Sequence, residues 1–115
     1  MTQSWTDVVA IGTKLPEVEE STSYGTPALK VRGKTFTRMK EDAETLAVKV
    51  LDLEDKEALL QSEPDVLFTT PHYDGYAYVL VRLEVVERGL LEELLEDAWR
   101  CAAPKRVLAA YEGEE

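Results

Sequence analysis

The chain has 115 residues, of which 44% are hydrophobic, and a formal net charge of -10. This length fits one domain with an apolar core, and the acidic charge opposes binding to nucleic acid and anionic membranes at long range. A single cysteine, Cys101, excludes an intrachain disulfide. Without a signal peptide or an apolar run of about 18 residues, we expect a cytoplasmic protein with no membrane segment.

The first predicted element is a helix from Ser4 to about Lys14. Ser4 and Asp7 have the spacing of a capping box at its start. Pro16 ends the helix, because the residue before a proline is disfavoured in the helical region. Residues 17–26 are first acidic and then polar, and they are interpreted as a link without regular structure.

A β-hairpin is predicted over residues 28–40, because apolar and charged side chains alternate there with a period of two. Gly33 supplies its turn. Phe36 and Met39 are three residues apart, which breaks the alternation and indicates a bulge in the second strand. A third strand is predicted over residues 45–51.

The next segment predicts a short helix and two strands. Asp52 is a suitable N-cap for a helix over about residues 53–61. Strands are expected over residues 66–70 and 76–86, and the turn residues of 71–75 separate them.

The clearest helix is predicted over residues 89–102, where leucines recur at the i, i+3, i+4 spacing of a buried stripe. Pro104 interrupts it, and residues 105–111 predict one or two further helical turns. Residues 112–115 have the composition of a frayed acidic tail. Because short turns join only antiparallel strands, these elements predict one α+β domain over residues 1–115 with about five antiparallel strands.

The hairpin is locally basic, and no acidic residue occurs from Ser21 to Lys40. Its cations are Lys30, Arg32, Lys34, Arg38 and Lys40, and Lys49 on the next strand extends the set. A two-stranded ribbon fits a major groove, and basic side chains gain affinity from phosphate. This reading requires Arg32 and Arg38 to be exposed; the alternative is a solvated sheet face whose lysines discourage edge pairing.

A second candidate site is the loop around His72. His72 and Tyr73 lie next to Asp74, and Tyr24 and Tyr76 are candidates to line a small-ligand pocket with them. Loops on a rigid scaffold often carry binding residues. The alternative is a turn with no binding role.

Acidic residues form two sets, Glu17, Glu19 and Glu20 and then Glu41, Asp42 and Glu44. If the two sets converge, they would provide a surface for a protein or a metal ion, but neither has the spacing of a calcium loop. A solvated acidic face is the alternative, and no specific metal site is predicted. The sequence contains no phosphate-binding loop, zinc motif or nucleophile motif, so we expect neither a cofactor nor enzymatic activity.

The chain resembles the YjbR/MmcQ family of small bacterial proteins. The residues that carry the resemblance run in order along the sequence: Leu15-Pro16, Glu19-Glu20, Ser23 to Pro27, Val31 to Lys34 with Phe36, Pro71 and Tyr73, Tyr76 to Leu83, Ala98 to Arg100 and Ala103 to Arg106.

The resemblance implies a fold like that of CyaY and frataxin, in which two terminal helices cover one face of a sheet. It also implies the "double wing" comparison that has given family members a DNA-binding label, but it transfers no catalytic residues. We therefore expect weak, salt-dependent DNA binding through residues 28–40. The alternatives are a protein or metal partner on the acidic surface, or a small ligand at the His72 loop.

Overall fold

A computed structural model describes residues 2–113 of the chain. Its helices and strands follow in the order α1 (Trp5–Gly12), β1 (Val18–Ser23), β2 (Thr26–Val31), β3 (Lys34–Met39), β4 (Thr45–Lys49), α2 (Leu53–Ser62), β5 (Leu67–Phe68), β6 (Tyr78–Arg82), α3 (Arg88–Ala102) and α4 (Lys105–Tyr111). None of the helices in this described part is long and apolar enough to cross a membrane.

The six strands form one antiparallel sheet in the order β1-β2-β3-β4-β6-β5. The α+β fold class is therefore confirmed, with one strand more than the sequence predicts. The additional strand is β1, which lies in the segment interpreted as a link. It pairs with β2 along its whole length, from Val18 opposite Val31 to Ser23 opposite Thr26.

The hairpin of β2 and β3 has the predicted turn and the predicted bulge. Gly33 has a φ of +84°, a backbone conformation in which a Cβ is strained. Leu29 pairs with Thr37 and Lys30 pairs with Thr35, so Phe36 is the extra residue of the bulge. The bulge directs both Phe36 and Thr37 into the protein, where neither is exposed to solvent.

Two predicted helix caps are present. The Ser4 backbone donates a hydrogen bond to the Asp7 carboxylate at 2.8 Å, which is half of the capping box of α1. The Asp52 carboxylate accepts one from the Asp55 backbone at 2.8 Å and caps α2. These bonds satisfy backbone N–H groups that have no partner inside a helix.

One face of the sheet, here called the inner face, packs against α1 and α3 and contains the main core. Its strand residues are Leu29, Val31, Phe36, Met39, Leu46, Val48, Val79 and Val81, and its helix residues include Val8, Ile11, Leu91, Leu95 and Trp99. Gly12 marks the close approach of α1, because a Cβ there would lie 2.3 Å from Cδ1 of Leu29. The expectation that terminal helices cover one face is confirmed.

The opposite side, here called the outer face, faces away from that core. One row of directly opposed residues crosses all six strands there, and it consists of Ser21, Ala28, Arg38, Ala47, Leu80 and Phe68. Residues 69–77, here called the tyrosine loop, connect β5 to β6. Tyr73 of this loop packs against Ala47 and Leu80 in a second, smaller apolar cluster.

The predicted acidic tail is partly attached to the protein. Glu112 accepts a hydrogen bond at 2.6 Å from Nη1 of Arg100, and a frayed end over residues 112–115 stays a prediction. Residues 114 and 115 lie outside the described part of the chain.

Candidate ligand cleft on the outer face of the sheet

A cleft of about 740 Å³ lies on the outer face. Its aromatic side chains are Tyr24, His72, Tyr73, Tyr76 and Tyr78, and its other lining residues are Ser23, Thr35, Arg38 and Glu41. All four residues predicted to line a ligand pocket are therefore brought together. The structure adds Arg38, which the sequence assigned to a different site.

Arg38 occupies the middle of the outer face because β3 has two strands on one side and three on the other. Its guanidinium donates hydrogen bonds to the Thr26 hydroxyl at 3.1 Å, to the Met39 carbonyl at 3.3 Å and to the Tyr73 hydroxyl at 2.9 Å. Only 13% of the Arg38 side chain is exposed, so the prediction that it is exposed is wrong. These bonds fix the orientation of the guanidinium beneath the cleft.

Tyr73 joins the tyrosine loop to this cation. Tyr73 is 8% exposed, and its hydroxyl accepts hydrogen bonds from both Arg38 and Nζ of Lys40, the second at 3.4 Å. The His72 ring meets the Tyr73 ring edge-on, with 5.2 Å between the ring centroids. The loop therefore forms an aromatic wall that is held to the sheet at a hydroxyl.

The rim of the cleft carries two tyrosines that are open to solvent. Tyr24 is 88% exposed and Tyr76 is 60% exposed. Tyr24 stands in the turn between β1 and β2 with a φ of +55°, and Gly25 follows it at +81°. The Arg38 guanidinium carbon lies 5.4 Å from the centroid of the Tyr24 ring, within the range of a cation–π contact.

Three other cations of this region also stand over rings. Lys40 is 4.8 Å from the Tyr73 centroid, Lys49 is 5.6 Å from that of Tyr78, and Arg82 is 4.2 Å from that of Phe68. Burial, and to a lesser degree the neighbouring Tyr73, raises the pKa of Tyr78, so its phenol keeps its proton at neutral pH.

The basic hairpin is not a projecting ribbon. β2 is paired to β1 and β3 is paired to β4, so the hairpin forms the interior of a wider sheet. At its turn, Arg32 is exposed as predicted, but its guanidinium pairs with the Glu17 carboxylate at 2.8 Å. Lys30 stands opposite Glu19 in the register of β1 and β2. Lys34, at the turn, is exposed.

The acidic residues and the cysteine do not form a second reactive site in residues 2–113. No group of three His, Cys, Asp or Glu side chains in that part is arranged to hold a metal ion. A hydrogen bond from its own backbone and then the charge of Lys40 lower the pKa of Glu41. Burial raises the pKa of the half-buried Cys101 thiol, which disfavours the thiolate that a nucleophile requires.

Sequence reasoning missed Ser23, Thr35 and Tyr78 in the lining of the cleft, and it missed Thr26 and Arg82 beside it. Tyr78 and Arg82 could have been found from the sequence, because they stand two residues to either side of Leu80 and so share its face of β6.

Another depression, of about 290 Å³, lies among Gln3, Glu44 and Leu83. Its lining has neither a cation nor an aromatic ring, so the chemistry favours the cleft over this depression.

The sequence and the fold were compared with those of known proteins. The family model described as YjbR matches residues 13–101. Uncharacterised proteins of Mycobacterium bovis and Mycobacterium tuberculosis are each 36% identical over 122 aligned residues, covering 94% of this chain and 95% of the relative. A crystal structure of a Deinococcus radiodurans protein with the family-model domain DUF419 superimposes with a TM-score of 0.72 at 25% identity, covering 97% of this chain and 82% of that one.

Proposed function

The chain belongs to the YjbR family, and we propose that it is a non-enzymatic binding protein whose outer-face cleft takes a small ligand with a planar ring and an anionic group. The observation that carries this proposal is the position of Arg38. A guanidinium lies at the floor of a concave site, is oriented by three oxygens and is surrounded by tyrosines.

Arg38 supports the anionic part of the ligand. A guanidinium has five N–H donors, and the described bonds of Arg38 use three of them. Its carboxylate neighbour, Glu41, is 4.0 Å away and mostly exposed, so this pair contributes little stability. The two donors that remain, the Nε N–H and the second Nη2 N–H, would donate charge-assisted hydrogen bonds to a ligand carboxylate or phosphate, whereas Glu41 lies nearest to Nη1.

The tyrosines support the planar part. Tyr24 and Tyr76 expose large rings at the rim, where they gain little from packing in the free protein. A ring stacked on either one would be removed from water, and aromatic pairs gain about 1 kcal/mol beyond the area that they bury. The cleft volume of about 740 Å³ falls within the usual size of small-molecule sites.

Calorimetric titration with matched probes tests this proposal. AMP carries a ring and a phosphate, 4-hydroxybenzoate a ring and a carboxylate, adenosine a ring alone and inorganic phosphate an anion alone. We expect AMP or 4-hydroxybenzoate to bind at least about tenfold more tightly than adenosine or phosphate, since a hydrogen bond to a charged group contributes about 1.5–3 kcal/mol.

Arg38→Gln should weaken binding of the better probe by at least about tenfold. Arg106→Gln is the matched control, because Arg106 is exposed on α4, away from the cleft. Equal affinity of the Arg38→Gln variant and the unmodified protein would refute the proposal. So would the absence of binding by both ring-bearing anions at millimolar concentration.

Single-stranded nucleic acid is the second candidate. It is favoured by the further cation–ring contacts of Lys40, Lys49 and Arg82, because proteins that bind single strands combine a basic track with stacking rings. The net charge of -10 opposes it.

The same protein should be titrated with an oligothymidylate of about ten nucleotides, a duplex of the same length and thymidine monophosphate. Tighter binding of the single strand than of the mononucleotide, with affinity falling between about 50 and 200 mM salt, would favour nucleic acid. Equal affinity for the oligomer and the monomer would leave the small-ligand proposal.

A further inference from the structure

Lys56 of α2 is a lysine in an unusual position. It is 4% exposed and is the one charged side chain among residues 2–113 that is buried. Within those residues no carboxylate pairs with it at 4 Å or less. Removing an ammonium group from water is costly unless hydrogen bonds replace the lost hydration. Burial accordingly lowers the pKa of Lys56, and the charge of Asp74 partly opposes that shift.

The ammonium of Lys56 uses two backbone oxygens of the tyrosine loop. It donates one hydrogen bond to the carbonyl of Tyr73 and another, at 2.9 Å, to that of Tyr76. These carbonyls lie on either side of Asp74 and Gly75, where the chain reverses. The backbone hydrogen bonds within the loop join residues three apart in sequence: the Tyr73 N–H donates to the Thr70 carbonyl at 2.8 Å, and the Tyr76 N–H donates to the Tyr73 carbonyl at 3.0 Å.

Tyr73 is therefore held at both of its ends by cations. Lys56 binds its carbonyl, while Arg38 and Lys40 bind its hydroxyl. The ring between these groups forms part of the cleft wall. A displacement of the Tyr73 backbone would consequently move a hydrogen-bond partner of Arg38.

We infer that Lys56 is a positioning residue for the outer-face cleft: its ammonium fixes the backbone of the tyrosine loop and thereby the wall of the cleft and the partner of Arg38. The ligand-binding consequence of this inference rests on the proposed function, whereas the effect on the loop does not. A lysine that served only overall stability would instead contribute equally to the hydrogen-exchange protection of the sheet and of the loop.

The test uses Lys56→Met, which keeps the length of the side chain and removes its charge and donors. Lys105→Met is the control, since Lys105 is exposed at the start of α4. Amide hydrogen exchange of the free protein is measured at Tyr73 and Tyr76 and, for comparison, at Val79 and Val81 in β6.

We expect protection at Tyr73 and Tyr76 to fall at least about tenfold in Lys56→Met, since the loop loses two charge-assisted bonds. Protection at Val79 and Val81 should stay within about twofold, and Lys105→Met should change neither region. The dissociation constant of the better-binding ring probe, AMP or 4-hydroxybenzoate, should rise at least about tenfold in Lys56→Met only.

Unchanged protection of the loop, or an equal loss in the loop and in β6, would overturn the inference. If Lys56→Met does not fold, Lys56→Gln, which retains one donor group, is measured in the same way; failure of both variants to fold would assign Lys56 to global stability instead. If the unmodified protein binds neither probe, the proposed function fails, and hydrogen exchange still decides whether Lys56 positions the loop.

Discussion

The two faces of the sheet are built by the same strands and differ in what covers them. The inner face meets two helices, and its strand side chains are apolar, apart from Thr37, with almost no exposure. The outer face meets the tyrosine loop, and its cations stand over aromatic rings. Successive residues of a strand point to opposite faces. Each strand therefore contributes alternate residues to the core and to the candidate binding face.

The buried polar side chains of the outer face all have hydrogen-bond partners. No buried side-chain nitrogen or oxygen in residues 2–113 lacks a hydrogen-bond partner. Arg38 and Tyr73 supply partners for each other, and Thr26 adds another. The contrast predicts that substitutions on the inner face reduce stability strongly, while those on the outer face change binding at a smaller cost.

The largest effect is expected from Trp99→Ala on the inner side. Trp99 is fully buried, and its indole N–H donates to the Pro16 carbonyl at 3.0 Å. Loss of the ring should lower the free energy of unfolding by about 3–5 kcal/mol. Urea denaturation followed by circular dichroism measures this loss.

Trp5→Ala is the control for that measurement, because Trp5 is half-buried and its indole N–H donates to the exposed carboxylate of Glu20. It should cost clearly less than Trp99→Ala. An equal decrease in the free energy of unfolding for the two variants would contradict a dominant contribution of the buried Trp99 ring to the core.

A smaller effect is expected from Tyr73→Phe on the outer face. The ring and its packing on Ala47 and Leu80 remain, but the acceptor for Arg38 is lost. We expect a decrease of about 1 kcal/mol in the free energy of unfolding, again from urea denaturation. Tyr76→Phe should stay within about 0.5 kcal/mol of the unmodified protein, since Tyr76 is exposed. A loss in Tyr73→Phe as large as that in Trp99→Ala would contradict the contrast between the faces.

The smallest effect, and a gain, is expected from Asp97→Asn on the solvent side of α3. Partial burial and then the charges of Glu96 and Asp55 raise the pKa of Asp97. The folded state therefore favours the protonated carboxyl. The charged form costs stability above the raised pKa, and this cost disappears as the pH falls below the ordinary value.

Asp97→Asn should accordingly raise the melting temperature by about 1–2 °C at neutral pH, a few tenths of a kcal/mol. The gain should shrink toward about pH 4. Differential scanning fluorimetry measures both values, with Glu84→Gln in an exposed loop as the control. A gain that persists at low pH would rule out this electrostatic cause.

The parts of the fold that follow from local chemistry were predictable. The cap at Asp52, the turn at Gly33 and the extent of α4 over Lys105–Tyr111 all agree with the sequence. Strand β1 was missed because Val18–Ser23 has one large apolar residue and no alternation, as expected for an exposed edge strand. The last two strands were predicted too long, since Leu67–Phe68 and Tyr78–Arg82 stop where pairing stops.

The site was half predictable for a similar reason. Tyr24, His72, Tyr73 and Tyr76 were recognised as residue types suited to a pocket. Arg38 joins these residues through its hydrogen bond to Tyr73, which lies 35 positions away in the sequence. Strand periodicity contains no information on such a long-range contact. The sequence predicts Arg38 on a solvated face of the hairpin, and period-two patterning cannot show that the tyrosine loop covers that face.

The order of strands in the sheet also bears on how the protein folds. β1 to β4 are neighbours in both sequence and space, and the two turns that join β1 to β2 and β2 to β3 have two residues each. Closing such short loops loses little chain entropy, whereas the pairing of β4 with β6 must close the segment that contains α2, β5 and the tyrosine loop. We therefore expect the four-strand meander to form early and the cleft, whose wall belongs to that long segment, to be completed last.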